Sequence, residues 1–171
     1  SVTLSGTQIL SNTATDYGGG VYVEHGNATL REAQIRSNTA QNGGGIYNSS
    51  TLVMTNSLIL SNTATISSSA GGGVANHGTF KATHITVQGN TASWRGGGIY
   101  ASGPTTLRNS AIISNRITEA GSFYGGGGIA TEASTTLINC TISGNSSAAE
   151  GGGIRNGGGV DFTIVNSTIA H

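Results

Sequence analysis

The chain has 171 residues, of which 29 are glycine, only 8% are charged and only 5% are aromatic. Seven Lys and Arg residues balance seven Asp and Glu residues, so no charge excess favours nucleic acid or an anionic membrane surface as a partner. The length is that of about one domain, and the single proline, Pro104, sets the chain apart from disordered segments. We therefore expect residues 1–171 to form one domain that is ordered by a repeat.

The sequence carries no signature of a membrane helix or of a disulfide. Its apolar runs fall short of the roughly 20 residues that span a bilayer, and Cys140 is the single cysteine. The chain starts Ser1-Val2-Thr3 without a methionine or a signal peptide, which is typical of a processed or excised part of a longer protein. We predict no insertion of this segment into a membrane.

A repeat of 25 to 30 residues runs through the whole chain. Each repeat contains a β-branched residue, an asparagine three positions later, a glycine triplet and a second β-branched residue. The first column is Ile9, Ile35, Ile59, Val87, Ile112 and Ile142, the asparagines are Asn12, Asn38, Asn62, Asn90, Asn115 and Asn145, and the triplets begin at Gly18, Gly43, Gly71, Gly96, Gly126 and Gly151. Alternating apolar residues, such as Leu52 and Met54, indicate half-buried strands.

These columns predict an all-β fold, a right-handed parallel β-helix of about six coils. Glycine triplets and frequent β-branched residues disfavour helix, and a coil of this length can bury its apolar side only by stacking on its neighbours. Stacked coils would lie ~4.8 Å apart. The aligned asparagines are then expected to form a structural ladder, in which each side-chain amide hydrogen-bonds to the next coil.

Two motifs carry a resemblance to a known family. The pairing of Ile-x-Ser-Asn, as at Ile35, with Gly-Gly-Gly-Ile, as at Gly43, resembles the repeats of polymorphic outer-membrane proteins and related bacterial surface β-helix proteins of the pectate-lyase-like superfamily. The resemblance covers essentially the whole chain and implies a right-handed parallel β-helix. Because this architecture serves adhesins, autotransporter passengers and polysaccharide enzymes, function has to be argued from sites.

Clustered carboxylates would be needed for the calcium-dependent or acid/base chemistry of polysaccharide enzymes. The sequence contains no Asp-x-Asp pair, and Glu24 and Glu132 occupy equivalent positions four coils, ~19 Å, apart. The four histidines are more typical of solvated turns than of a metal site. We therefore expect no catalytic residues, no bound metal and no cofactor.

Two coils are longer than the others, and insertions in a solenoid often mark its binding face. The extra residues fall in 64–70 and 116–125, which flank a coil with a Trp-Arg pair at the equivalent corner. The candidate binding patch at this edge is Tyr17, Trp94, Arg95, Phe123 and Tyr124. These side chains could contact a sugar or a protein, or they could fold over their own loops. A partial column beside the glycine strands, Tyr22, Tyr47 and Tyr100, is predicted to be a packing stripe on the outer surface.

Five sequons would permit N-glycans in a secretory pathway that makes them. Their asparagines are Asn27, Asn48, Asn139, Asn145 and Asn166. Because the chain is rich in Asn, Ser and Thr, several of these sequons are expected by chance.

Both ends of the repeat array are predicted to expose strand edges. Residues 1–12 and 160–171 occupy the same phase of the repeat, and neither end carries a capping helix in the sequence pattern. Unpaired edges invite another chain. Either neighbouring repeats of a longer protein or a second copy stacked head to tail would satisfy them, and repeated stacking would produce a fibre.

Together these features favour a non-enzymatic β-solenoid with a structural or adhesive role, extracellular or at the cell surface, which could self-assemble into a fibre. The expected partners are a second copy or neighbouring repeats, and glycans or a host or surface protein, with no nucleic acid. The alternative is a carbohydrate-binding or polysaccharide-degrading β-helix module, which a carboxylate cluster on adjacent coils would favour.

Overall fold

The computed structural model describes residues 1–66, 68–121 and 125–170. This part of the chain consists of short strands and turns; it contains no helix, and therefore none with the length and hydropathy needed to cross a membrane. The strands are β1 (Val2–Ser5), β2 (Gln8–Leu10), β3 (Val21–Val23), β4 (Asn27–Arg31), β5 (Gln34–Arg36), β6 (Thr39–Ala40), β7 (Ile46–Asn48), β8 (Thr51–Thr55), β9 (Leu58–Leu60), β10 (Thr63–Ala64), β11 (Val74–Asn76), β12 (Thr79–Thr83), β13 (Thr86–Gln88), β14 (Thr91–Ala92), β15 (Ile99–Ala101), β16 (Thr105–Arg108), β17 (Ala111–Ile113), β18 (Arg116–Ile117), β19 (Ile129–Thr131), β20 (Thr135–Ile138), β21 (Thr141–Ser143), β22 (Ser146–Ser147), β23 (Ile154–Asn156), β24 (Phe162–Val165) and β25 (Thr168–Ala170).

The strands form four parallel sheets, numbered here in the order in which the chain visits them. Sheet 1 has the order β1-β4-β8-β12-β16-β20-β24, sheet 2 has β2-β5-β9-β13-β17-β21-β25, sheet 3 has β6-β10-β14-β18-β22, and sheet 4 has β3-β7-β11-β15-β19-β23. One pass through the four sheets makes one coil, and each new coil starts at a strand of sheet 1. The chain completes six coils and starts a seventh with β24 and β25, which confirms the predicted parallel β-solenoid.

The apolar core lies between sheets 1, 2 and 4, and its columns are stacked residue on residue. Ile59 in sheet 2 pairs with Ile35 of the preceding coil and Val87 of the following one, and all three side chains are fully buried. Phe80 fills sheet 1 in the same way and is 0% exposed. Each such side chain contributes about 1.5–3 kcal/mol by leaving water. Strand alternation therefore places two inward columns in sheet 1, as Leu52 and Met54 show, and one inward column in sheet 2.

The repeated asparagines form a continuous ladder at the corner between sheets 2 and 3. From Asn12 to Asn115, each Nδ2 donates to the Oδ1 of the asparagine in the next coil at 2.9 to 3.1 Å, and the ladder ends at Asn145. Asn90 shows the full pattern: its Nδ2 also donates to the backbone oxygen of Ile59, and its Oδ1 accepts the backbone N–H of Asn62. Each interior rung thus ties three coils together and satisfies buried backbone groups.

The three glycines of a triplet have different roles, as Gly71, Gly72 and Gly73 show. Gly71 has a φ of +67°, in the left-handed region that favours glycine. A Cβ on Gly72 would lie 2.4 Å from the backbone oxygen of Thr91 in the next coil. A Cβ on Gly73 would lie 3.1 Å from the side chain of Asn90. The triplet therefore makes the turn, admits the neighbouring backbone and leaves space for the asparagine ladder.

A second, shorter polar ladder changes the interpretation of the sequons. The side chain of Asn48 is 0% exposed, and its Nδ2 donates to Asn76 Oδ1 at 2.7 Å and to the backbone oxygen of Thr79 at 3.1 Å. The Nδ2 of Asn145 donates to a backbone oxygen at 2.8 Å as part of the main ladder. A glycan on either nitrogen would replace a structural hydrogen bond; glycosylation at the five sequons stays a prediction. Asn27, Asn139 and Asn166 are exposed.

Candidate functional site

The outer face of sheet 4 carries a column of large and small residues in register. In each strand of sheet 4 the first and third residues point to the core, and the second residue points to the outer surface. The outward column is Tyr22, Tyr47, Ala75, Tyr100, Ala130 and Arg155. The two alanines leave gaps in a row of long side chains. Residues from neighbouring columns occupy both gaps.

Five rings form an unbroken contact along this face, which we call the aromatic stripe: Tyr17, Tyr22, Tyr47, His77 and Tyr100. The Tyr47 ring lies 4.5 Å from Tyr17, 5.5 Å from Tyr22 and 4.9 Å from His77, and His77 lies 5.6 Å from Tyr100, measured between ring centroids. Tyr17 and Tyr22 are 45% and 46% exposed, whereas Tyr100 is 7% exposed. The stripe is therefore open to solvent at the end formed by the first coil.

His77 occupies the gap above Ala75, between the rings of Tyr47 and Tyr100. Its Nδ1 shares a hydrogen bond of 2.7 Å with the hydroxyl of Ser102, from the equivalent turn of the next coil. Burial of the ring between its neighbours lowers the pKa of His77, and the negative charge of Glu132 opposes that shift. The residue as a whole stays exposed, so the ring is only partly shielded from solvent.

The gap above Ala130 is filled by an ion pair between Arg95 and Glu132. The side chains of these residues are only 14% and 28% exposed, and the Glu132 carboxylate also accepts the hydroxyl of Tyr100 at 2.8 Å. The Arg95 guanidinium lies 3.8 Å from the centre of the Trp94 ring. Burial first, and then the hydrogen bond to Glu132, raise the pKa of Tyr100. The result is a half-buried Trp-Arg-Glu group, the Arg95 cluster, which continues the aromatic stripe.

The residues of the predicted binding patch are divided between these two features. The edge column runs Tyr17, Asn42, Ala70, Arg95, Gly125 and Glu150. Trp94 and Arg95 are in contact with each other, whereas Tyr17 lies three coils away and turns its ring toward the tyrosines of sheet 4. Phe123 and Tyr124 lie outside the described residues.

The sequence interpretation missed two participants, His77 and Glu132. Both follow a strand of sheet 4 at the same position as Glu24, so aligning the coils at that turn would have put His77 and Glu132 next to the tyrosine column. The contacts that link the two residues to the stripe required the packed structure.

The site offers ring edges, phenol hydroxyls, an imidazole and a paired charge, groups that can contact sugars or proteins. Within residues 1–66, 68–121 and 125–170, no three His, Cys, Asp or Glu side chains come together in a way that could hold a metal ion.

Comparison with known proteins identifies the repeat type. The family model for the repeat of the Chlamydia polymorphic membrane protein matches residues 84–102. This segment runs from the corner between sheets 1 and 2 through β13, β14 and β15 to the first residue of the following turn, and it includes Asn90 of the ladder and the glycine triplet that begins at Gly96. No curated protein and no solved structure matches the chain. The predicted resemblance to polymorphic outer-membrane protein repeats, a type of surface β-helix repeat, is therefore confirmed for one coil.

Proposed function

We propose that this chain is a non-enzymatic, extracellular element of a bacterial-type cell surface that combines a structural rod with an adhesive face. The match of one coil to a polymorphic membrane protein repeat supports the surface assignment. The aromatic stripe is the observation that carries the adhesive role, because nothing in the stacking of the coils requires exposed rings on that face.

The exposed end of the aromatic stripe is the adhesive contact. Tyr17 and Tyr22 lie 6.0 Å apart and present two half-exposed rings with free phenol edges, and Tyr47 supports both from below. Tyrosines combine apolar area with a hydrogen-bonding tip at low entropic cost, which is why they concentrate in recognition surfaces. The partner is a glycan or a surface protein.

A binding experiment on the intact chain tests this role. The labelled chain is applied to an array of defined glycans and to a panel of immobilised extracellular-matrix proteins. We expect binding that the double substitution Tyr17→Ser, Tyr22→Ser abolishes. The matched control is Gln88→Ser, at an exposed position of sheet 2 in the fourth coil, away from the stripe and from both ends. Binding that survives the tyrosine substitutions, or that Gln88→Ser removes equally, would reject the aromatic stripe as the adhesive contact.

The placement of the carboxylates supports a role without catalysis. Glu132 is occupied by Arg95 and Tyr100, and Glu150 is paired with Arg155 at 3.0 Å. Acid/base hydrolysis of glycosides needs two carboxylates that face one bond. We expect no release of reducing ends or unsaturated sugars from neutral or acidic polysaccharides. Release that is lost on Glu132→Gln would instead establish the alternative, a polysaccharide-degrading module.

End-to-end association is the second part of the proposal. The inward columns that begin with Leu4 and Ile9 at one end of sheets 1 and 2 finish at the other end with Ile164 and Ile169, which are exposed. Burial of these side chains between two copies would extend both sheets. Sheets 3 and 4 contain fewer strands, so two copies of this 171-residue chain would pair directly only through sheets 1 and 2.

Electron microscopy with light scattering across dilution tests the association. We expect unbranched fibres that the substitution Ile169→Lys prevents, because it would bury a charge between stacked coils. Gln88→Lys, at an exposed position of sheet 2 in the fourth coil, adds the same charge away from both ends and is the control. A monomer at every concentration would remove fibre formation from the proposal and leave the adhesive role intact.

A further inference from the structure

The balanced net charge conceals a separation of charge between two sides of the solenoid. The strands of sheets 1 and 2 and the turns that join them carry four cations and one carboxylate, a difference of +3. The remainder of the chain carries three cations and six carboxylates, a difference of −3. The four cations of the first group, which we call the basic track, are Arg31, Arg36, Lys81 and Arg108. The single carboxylate among them is Glu32.

The two groups of cations also differ in their partners. Of the three cations in the remainder of the chain, Arg95 and Arg155 form ion pairs with carboxylates, and Arg116 is exposed. The four residues of the basic track are exposed, and within the described part of the chain none of them lies within salt-bridge distance of a carboxylate. Strand alternation directs all four away from the core, so the positive charges point to solvent from one continuous surface.

The basic track runs along the axis of the solenoid. Arg31 and Arg108 belong to one outward column of sheet 1, three coils or ~14 Å apart. Lys81 lies between them on the adjacent outward column, and Arg36 extends the charge onto sheet 2 in the coil of Arg31. The arrangement suits an elongated ligand that bears several negative charges.

Two neighbouring depressions lie on this surface. One, of ≈ 380 Å³, is bordered by Lys81, Thr83, Thr106 and Arg108. The second, of ≈ 480 Å³, follows the corner between sheets 1 and 2. Its polar lining is His84, Thr86, Asn109, Ser110, Asn139 and Thr141. Since Arg108 and Asn109 are consecutive, the cationic depression leads directly into a groove of amides and hydroxyls.

We propose that sheets 1 and 2 form a binding site for an anionic glycan, which lies along the basic track with its hydroxyl groups in the corner groove. Arginine binds carboxylate or sulfate groups through paired N–H donors, and lysine supplies a point charge. Asn109, Asn139 and the threonines offer both donors and acceptors to sugar hydroxyls. This site is separate from the aromatic stripe and does not depend on the adhesive role proposed for it.

The lining favours a glycan over other anionic partners. A protein interface would need buried aromatic or large apolar anchors, and single-stranded nucleic acid would need rings on which bases stack. Neither depression is lined by an aromatic side chain other than His84. Charge with hydroxyl and amide groups is the chemistry that a sulfated or carboxylated sugar chain requires.

Heparin, a sulfated glycan, is the probe for the test, with uncharged dextran and single-stranded DNA as comparison ligands. The intact chain is produced without N-glycosylation, because Asn139 lies in the groove. We expect salt-sensitive binding to heparin, none to dextran and weaker binding to DNA. Arg108→Ser should weaken heparin binding on the order of tenfold, which corresponds to the loss of one charge-assisted contact. The double substitution Lys81→Ser, Arg108→Ser should weaken it further.

The matched control is Arg116→Ser. Arg116 is exposed in the same coil as Arg108 but lies on sheet 3, so its substitution changes the net charge equally on a different face. We expect an effect of less than about twofold. An equal loss with both substitutions, equal binding to DNA, or no binding to heparin would overturn the proposal. Tyr17→Ser, Tyr22→Ser should keep heparin binding, which separates this site from the adhesive contact of the stripe.

Discussion

The asparagine ladder and the aromatic stripe both run along the axis of the solenoid, but they differ in how strictly their residues repeat. In the asparagine ladder one residue type recurs in each of six coils, and every interior rung is 0% exposed and makes the same hydrogen bonds. In the aromatic stripe the column is broken by Ala75 and Ala130, and other columns supply the missing groups. Residues that recur in every coil stabilise the solenoid. Where the recurring residue is replaced by alanine, side chains from other columns determine the chemistry of the surface.

The largest expected effect comes from breaking the strict region at Gly72. Gly72→Ala places a Cβ 2.4 Å from the backbone oxygen of Thr91. Neither coil can move away to relieve this clash without breaking the asparagine ladder. We expect a loss of about 4 kcal/mol or more in the free energy of unfolding, measured by urea titration. The control is Gly152→Ala, the equivalent position in the sixth coil, where the nearest atom would be 3.2 Å away. A similar loss at both positions would show that the close approach of coils is not the cause.

A substitution within the asparagine ladder should come next. Asn90→Ala removes two donated and two accepted hydrogen bonds and leaves the Asn62 N–H buried without a partner. Because a buried orphaned group costs about 1–3 kcal/mol and the other bonds of the rung are lost with it, we expect a total loss of about 3 kcal/mol. Asn12→Ala, at the exposed end of the same ladder, should cost about 1 kcal/mol. Equal losses at the two rungs would contradict a burial-dependent ladder.

The aromatic stripe should tolerate change better than the ladder. Tyr47 contacts three other rings and is half-buried, so Tyr47→Ala should cost about 2 kcal/mol. Tyr22→Ala, at the exposed end, should cost less than about 1 kcal/mol. Chemical denaturation of both variants measures the difference. A loss for Tyr47→Ala as large as that for Asn90→Ala would mean that the stripe is structural in the same sense as the ladder.

The smallest expected effect is a pH dependence that originates in His77. Because burial lowers its pKa, the unfolded chain binds more protons than the folded chain just below the ordinary value near 6.5. Stability should therefore be complete above that pH and decline as the pH falls through the lowered pKa of the folded state. Urea midpoints at about pH 7.5 and about pH 5.5 measure the decline. In His77→Gln the part of the decline due to this residue should disappear; an unchanged decline would assign it to other groups.

Most aromatic residues of the candidate site could be predicted from the sequence. Tyr22, Tyr47 and Tyr100 were identified as an outer column from their spacing, and Trp94 and Arg95 as a corner pair. The link between the two groups depends on Glu132, which is 37 residues from Arg95 and joins it only because two coils stack. The prediction of a right-handed coil stays a prediction.

The sequence by itself determined the repeat and therefore the fold, because one asparagine, one glycine triplet and one β-branched column in each coil are local features with fixed spacing. Tertiary structure alone decided how the irregular residues combine. Which side chain covers Ala75 or Ala130, and which surface collects the unpaired cations, depend on the sheet and the coil that a residue reaches. Equal numbers of positive and negative residues do not reveal on which side of the solenoid each charge lies. Strand alternation and the stacking of coils decide this only when the solenoid forms.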